Sequence, residues 1–409
     1  MAPSPLARAL PAMTALQAVV ALGVFSLSVL APQRGWSVAH LAAVNSLLFG
    51  VGAVGALMAG RLLERLGDWR VAACCAAAIA AGMLCLLVDV AAGPWLAALL
   101  FGLAFGPETP ASASILSRVT PAARRPWVFS VRQTGNQIGA MTGSLLLPVL
   151  IAMAWWLPYG FVAAVALAMT AWCLLASRHE RGDAEATRPG HRTVPAADRA
   201  SWRRVVHSRP LLALAFVALC YTAVQMCLNT FLMTFAVRSW GMEIATASAW
   251  VAWMQGAGLA GRLFWGWLAQ HFAGAARLLG GIGLLVAASG GAVLTHEGPS
   301  GGPLLGLFVG LLGFSASGWN GVLVAEVARL AGPREAGAIT GVVLMAGYAG
   351  LALAPAAFAG LSGLASMSVA FGGLFAAAGA AGGVLLLMRP AAAPTSEAGS
   401  STVRGGSAE

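Results

Sequence analysis

The chain of 409 residues contains no lysine, and only 9% of its positions carry a charge. Without lysine there is no glycine-rich phosphate loop of the nucleotide-binding kind, whose lysine reaches the phosphates. No histidine lies deep in an apolar stretch. The six cysteines (Cys74, Cys75, Cys85, Cys173, Cys220, Cys227) lack the paired spacing of zinc or redox motifs and read as small core residues. An enzyme within such a chain would need a nucleophile with its base, or a metal set, and neither is present, so no catalytic residue, cofactor or metal is expected. Acids are scarcer than bases, 14 against 24, for a net charge of +10. The arginines form no solvated patch with interleaved aromatics, which excludes a nucleic-acid partner.

What the chain has instead is apolar residue: 59% of positions are hydrophobic and the mean hydropathy is +0.81. A membrane-crossing helix takes about 20 mostly apolar residues. Twelve such runs are expected, near 12–31, 38–60, 71–91, 94–117, 128–152, 155–177, 210–234, 244–268, 277–295, 303–328, 336–361 and 366–388. The first reads as a retained helix, because its apolar run is too long for a signal peptide and removing it would leave an odd number of spans. Arg61, Arg65, Arg70, Arg118, Arg124, Arg125, Arg277, Arg329 and Arg334 fall in even-numbered loops, whereas the odd-numbered loops hold Arg34 and Arg238. The positive-inside rule therefore places the even loops and both termini in the cytoplasm. Trp36, Trp95, Trp155, Trp156 and Trp240 lie at span ends on one side and Trp69, Trp127 and Trp202 on the other, as interfacial indoles do; Trp319 falls mid-span.

Residues 178–209 are polar, mixed in charge and without an apolar face. They divide the chain into a bundle over 1–177, a cytoplasmic linker, a bundle over 210–388 and a disordered tail over 389–409. The halves echo each other. "GALMAGRLLERLG" closes the second span and "GRLFWGWLAQHFA" the eighth, with Gly55 matching Gly261, Gly60 matching Gly266 and Leu62 matching Leu268 at one offset. Duplicated six-helix units are a common plan of secondary transporters.

"GRLLERLGDWR" (60–70) resembles the loop motif G-x-x-x-D-R-x-G-R-R/K of the major facilitator superfamily, with Gly60, Arg65 and Gly67 in place, Glu64 for the usual aspartate and Arg70 one position past the closing base. The second copy has Gln270 and His271 where acid and base would stand, and Arg262 and Gly266 fall in "QGAGLAGRLFWGWLA". The fourth and fifth spans are similar to a bacterial subgroup with G-P-x-x-P-A-S followed by F-S-x-K/R-Q-T-G. The resemblance implies an all-α membrane protein of twelve helices in two pseudo-two-fold bundles, with alternating access around a cavity lined by helices 1, 4, 7 and 10. It further implies that Gly60, Glu64, Arg65, Gly67, Arg70, Arg262 and Gly266 belong to a conformational motif. Glycines at 55 and 60 would let helices approach closely, and the charges would latch the cytoplasmic face in one access state.

An ionisable group at mid-membrane costs roughly 2.5–3.5 kcal/mol on insertion scales, so each needs a reason. Glu108, between Pro107 and Pro110, lies ten residues from Arg118, about 15 Å deep at 1.5 Å per residue. Ser112 lies one turn away on the same face, and the prolines leave the carbonyls of Leu103 and Gly106 without their usual donors. Arg132 opens the fifth span, with Asn136, Gly139 and Gly143 at helical spacing. Three readings of Glu108 and Arg132 stand open: a structural ion pair between helices, a site where Arg132 holds an anion and Glu108 a proton, and an arginine that snorkels to the interface. Tyr221, Gln225 and Asn229 make a polar stripe on the seventh span; Gln255, Trp319, Asn320 and Tyr348 complete the candidate substrate residues. The expected function is secondary active transport of a small organic solute, proton-coupled through Glu108 and leaning to carboxylates, in a bacterial inner membrane. Proton-coupled efflux of hydrophobic or cationic compounds is the alternative, followed by a non-transporting sensor. The expected partners are a small-molecule substrate, protons and the lipid bilayer, with the chain acting as a monomer.

Overall fold

The computed structural model describes residues 5–88, 90–121, 124–183, 199–271, 274–295, 302–332 and 335–388. Arg334, the tail 389–409, linker residues 184–198 and the side chain of Gln270 lie outside the described residues. The first half folds into α1 (Pro5–Leu30), α2 (Val38–Leu66), α3 (Asp68–Leu87), α4 (Gly93–Val119), α5 (Arg125–Met153) and α6 (Leu157–Asp183). A short α7 (Arg199–His207) leads into α8 (Arg209–Ser239), α9 (Ile244–His271), α10 (Ala275–Leu294), α11 (Pro303–Ala316), α12 (Trp319–Ala331), α13 (Ala336–Leu364) and α14 (Met367–Leu387).

Local chemistry sets the ends of these helices. Ser37 and Ser366 cap α2 and α14, each hydroxyl accepting from the N–H three residues on, at 3.0 and 3.2 Å. Prolines open α4, α5, α8 and α11, where a missing N–H costs nothing. Gly67 ends α2 at φ +83°, a conformation that favours glycine, while its N–H closes on the Leu63 carbonyl.

Ten segments are long and apolar enough, by length and composition, to cross a membrane, counting α11 and α12 together. The remaining two long helices, α4 and α9, carry Glu108 and Arg262. Packing repeats between the halves: α1 on α5, α2 on α4 and α3 on α6 correspond to α8 on α13, α9 on α11 and α10 on α14. The seams between halves follow the same symmetry, α5 on α9 and α2 on α13. The matched glycines show why. A Cβ on Gly55 would sit 3.3 Å from Pro107 of α4, and one on Gly261 would collide with the Phe314 carbonyl of α11. Gly60 and Gly266 face open space instead, so the close approach comes from the first glycine of each pair alone.

Two elements differ from expectation. The run 303–328 is two helices, broken at Ser317–Gly318; a Cβ on Gly258 would clash with Ser317, and one on Gly318 with Trp265, so the break is shaped to α9. The linker end forms α7, whose Val205 is buried; an apolar face of one turn is too short to show as periodicity. Trp240 also departs from the interfacial pattern: it is buried against Phe235.

Candidate functional site

The site is built where α4, α5, α9 and α13 converge. α5 lies so close to α1 that a Cβ on Gly135 or Gly139 would strike the Thr14 or Ala18 carbonyl. This contact fixes the rotation of α5 and turns Arg132 toward α4. α4 runs as one helix through both prolines. Glu108 and Arg132 are 3% and 1% exposed and form an ion pair, with Arg132 Nη2 2.5 Å from Glu108 Oε1. Ser112 Oγ donates to the same oxygen at 3.0 Å, Thr109 Oγ1 donates to Oε2 at 3.1 Å, and Arg132 Nη2 also reaches Thr109 at 3.2 Å. The carboxylate is thus held by three side chains. Arg132 does not snorkel, yet its Nε has no hydrogen-bond partner among the described residues. Tyr348 of α13 and Cys75 of α3 lie within electrostatic reach of Glu108.

The neighbour of Arg132, Gln133, faces the other half of the molecule and accepts from Arg262 Nη1 of α9 at 3.1 Å. Arg262 forms no ion pair among the described residues, and its Nε is buried without a partner. Gln137, one turn further along α5, is 1% exposed with neither amide atom partnered among the described residues. Ser248 of α9 closes this seam toward the other end by donating to the Ser144 carbonyl.

The remaining candidate residues divide. Gln255 donates to Asn229 at 2.8 Å, joining α9 to α8. Gln225 and Asn136 are half-buried. Tyr221 is separated from the stripe that its spacing suggested, because its hydroxyl donates to the Leu279 carbonyl of α10 at 2.7 Å. Its ring meets Trp319 edge-on at 5.8 Å. Trp319 is buried at the start of α12 with Nε1 unpartnered, beside half-buried Asn320.

In the loop motif, Glu64 and Arg65 are exposed, Arg70 is half-buried and Gly67 supplies the turn. The buried acid here is Asp68, which pairs with Arg118 of α4 and accepts from Ser114 at 2.7 Å. Sequence reasoning passed over Asp68, Thr109, Gln133 and Gln137. Asp68 carried one legible signal, an acid in a first helical turn directly after a glycine.

Two six-helix halves with matched packing and a charged site where they meet follow the plan of a membrane transporter. The sequence model of the Major Facilitator Superfamily matches residues 12–355, and the chain belongs to that family. Among curated proteins no match is found. Among solved structures, a bacterial homolog of the human lysosomal transporter Spinster, in an inward-facing and unoccupied conformation, is similar at TM-score 0.68 and 17% identity, over 94% of this chain and 96% of that one. A peptide transporter POT in complex with sulfate is similar at TM-score 0.69 and 16% identity, over 93% and 94%. A variant of the Escherichia coli fucose:proton symporter FucP is similar at TM-score 0.59 and 16% identity, over 92% and 97%.

Proposed function

We propose that the chain is a proton-coupled carrier of small organic anions in a bacterial inner membrane, its arginine-rich end cytoplasmic. The carrying observation is the charge count at the seam. Glu108 offsets Arg132, and among the described residues Arg262 has only the neutral Gln133. A half-buried guanidinium without a carboxylate, in a membrane interior, is completed by an anion.

In this reading Glu108 takes a proton, loses its hold on Arg132 and leaves that guanidinium to the substrate. Arg132 and Arg262 then grip the anion from the two halves, on helices α5 and α9 that must separate for the substrate to pass. Tyr348 lines the same space from α13. Departure of the anion lets Glu108 release its proton and pair again, so proton and substrate move together. The symport named for FucP agrees with coupling of this kind. Efflux of cations is less well served, because Glu108 is already held by Arg132.

The test is accumulation by proteoliposomes under an imposed pH gradient, with labelled mono- and dicarboxylates, neutral sugars and organic cations. Gradient-dependent accumulation of anions, lost in Arg262→Gln, is the expected result. Accumulation of cations alone, or anion uptake indifferent to Arg262, would overturn it.

A further inference from the structure

The outer face of α7 combines apolar and basic side chains at the arginine-rich end. Residues 199–209 hold four arginines and no carboxylate. Ser201 and Val205 are buried against the second bundle, which turns Trp202 and Val206 outward at 45% and 55% exposure. Beside this apolar pair run exposed Arg203 and His207, whose Nδ1 lies 2.8 Å from the Arg203 carbonyl, and exposed Arg209 follows two residues on.

The level of the helix is fixed by its neighbours. One residue, Ser208, separates α7 from the membrane-crossing α8. Arg204 donates to the Leu330 and Ala331 carbonyls at the end of α12, at 3.5 and 3.2 Å, and pairs with Glu335 just ahead of α13. α7 therefore lies at the height of the bilayer surface. A short helix with an indole and an aliphatic side chain next to exposed basic groups is the pattern of a segment lying in the interface of an anionic membrane.

We propose that α7 docks on anionic lipid headgroups through Trp202, Arg203, Val206 and Arg209. Arg204, turned the other way, transmits this docking to the ends of α12 and α13, so the second bundle is held more firmly in an anionic bilayer than in a neutral one. The charge complementarity favours lipid over a protein partner, since the face offers no acidic side chain of its own.

The test uses full-length protein in nanodiscs, with brominated phosphatidylglycerol or brominated phosphatidylcholine as quencher and Trp202→Phe subtracted to isolate one indole. Quenching of Trp202 should rise with phosphatidylglycerol and stay low with phosphatidylcholine. The mole fraction giving half the effect should increase about fivefold in Arg203→Gln and about fivefold again when Arg209→Gln is added. Equal quenching by both lipids, or no quenching by either, as for a face turned to the cytosol or to a protein, overturns the docking. For the coupling, wild type should melt higher in phosphatidylglycerol discs than in phosphatidylcholine discs. Arg204→Gln should lose that difference while Trp202 remains quenched. Equal wild-type midpoints in the two lipids overturn the coupling.

Discussion

Replacing Glu108 with Gln keeps the volume and the contacts with Ser112 and Thr109 but strands Arg132, which is 1% exposed and cannot give up its charge. At an effective dielectric of about 20, unit charges 4 Å apart interact by about 4 kcal/mol, and losing one member of a buried pair costs about 3–5 kcal/mol. Glu108→Gln is therefore expected to destabilise by about 3–5 kcal/mol. Arg132→Gln leaves a carboxyl that retains two hydroxyl donors and can neutralise itself with a proton. Its cost should be smaller, about 1.5–3 kcal/mol, the worth of a hydrogen bond to a charged group. The double variant Glu108→Gln/Arg132→Gln buries no charge and should regain most of the loss. Thermal unfolding of the purified proteins then ranks wild type and double variant highest, Arg132→Gln next and Glu108→Gln lowest. A Glu108→Gln protein as stable as wild type, or a double variant that loses the sum of both single effects, would refute the claim that the pair is mutually compensating.

Transport by the same variant separates coupling from binding: Glu108→Gln should lose uphill accumulation in a pH gradient yet keep substrate exchange, and retained accumulation would remove Glu108 as proton carrier. Asp68→Asn should slow transport and lower the melting point, whereas Glu64→Gln should change neither, as measured by uptake and thermal unfolding of both. Gly139→Ala should destabilise by about 1–3 kcal/mol, because its Cβ would press on the Ala18 carbonyl, while Gly60→Ala should be neutral or gain up to about 1 kcal/mol. Tyr221→Phe removes the side-chain donor to the Leu279 carbonyl and should cost about 1 kcal/mol of stability with substrate affinity unchanged in a binding titration.

Helix number and approximate ends were legible because they depend on runs of apolar residue and on punctuation by Gly, Pro and Arg, both local. The break at Ser317–Gly318 was not, since serine and glycine are ordinary inside membrane helices and only the close passage of α9 makes these two a joint. Glu108 stood out because an acid deep in a span is costly, and its three donors include Ser112, which the spacing had placed on its face. Tyr221 misled for the converse reason. Recurrence every fourth residue aligns side chains on a straight helix, but which neighbour each one meets depends on where α10 lies.

Arg262 shows best what packing adds to pattern. In the sequence it sits between a glycine and an apolar turn inside the eighth span, at the place of a conformational motif. The structure puts Gly261 against α11, which orients α9 so that the next side chain points across the seam to Gln133 rather than into solvent. The same backbone contact that repeats the Gly55 packing of the first half therefore aims a guanidinium at the neighbour of Arg132. The first half has no matching charge: Gly55 is followed by Ala56, and its seam partner α13 meets it without an arginine. Duplication built the scaffold twice, but the uncompensated cation was placed once, on one of the two symmetric seams. Under the proposed function an anion at Arg262 would be held off the pseudo-two-fold axis, toward α5 and α9, so separating that seam should disturb the substrate more than separating α2 from α13.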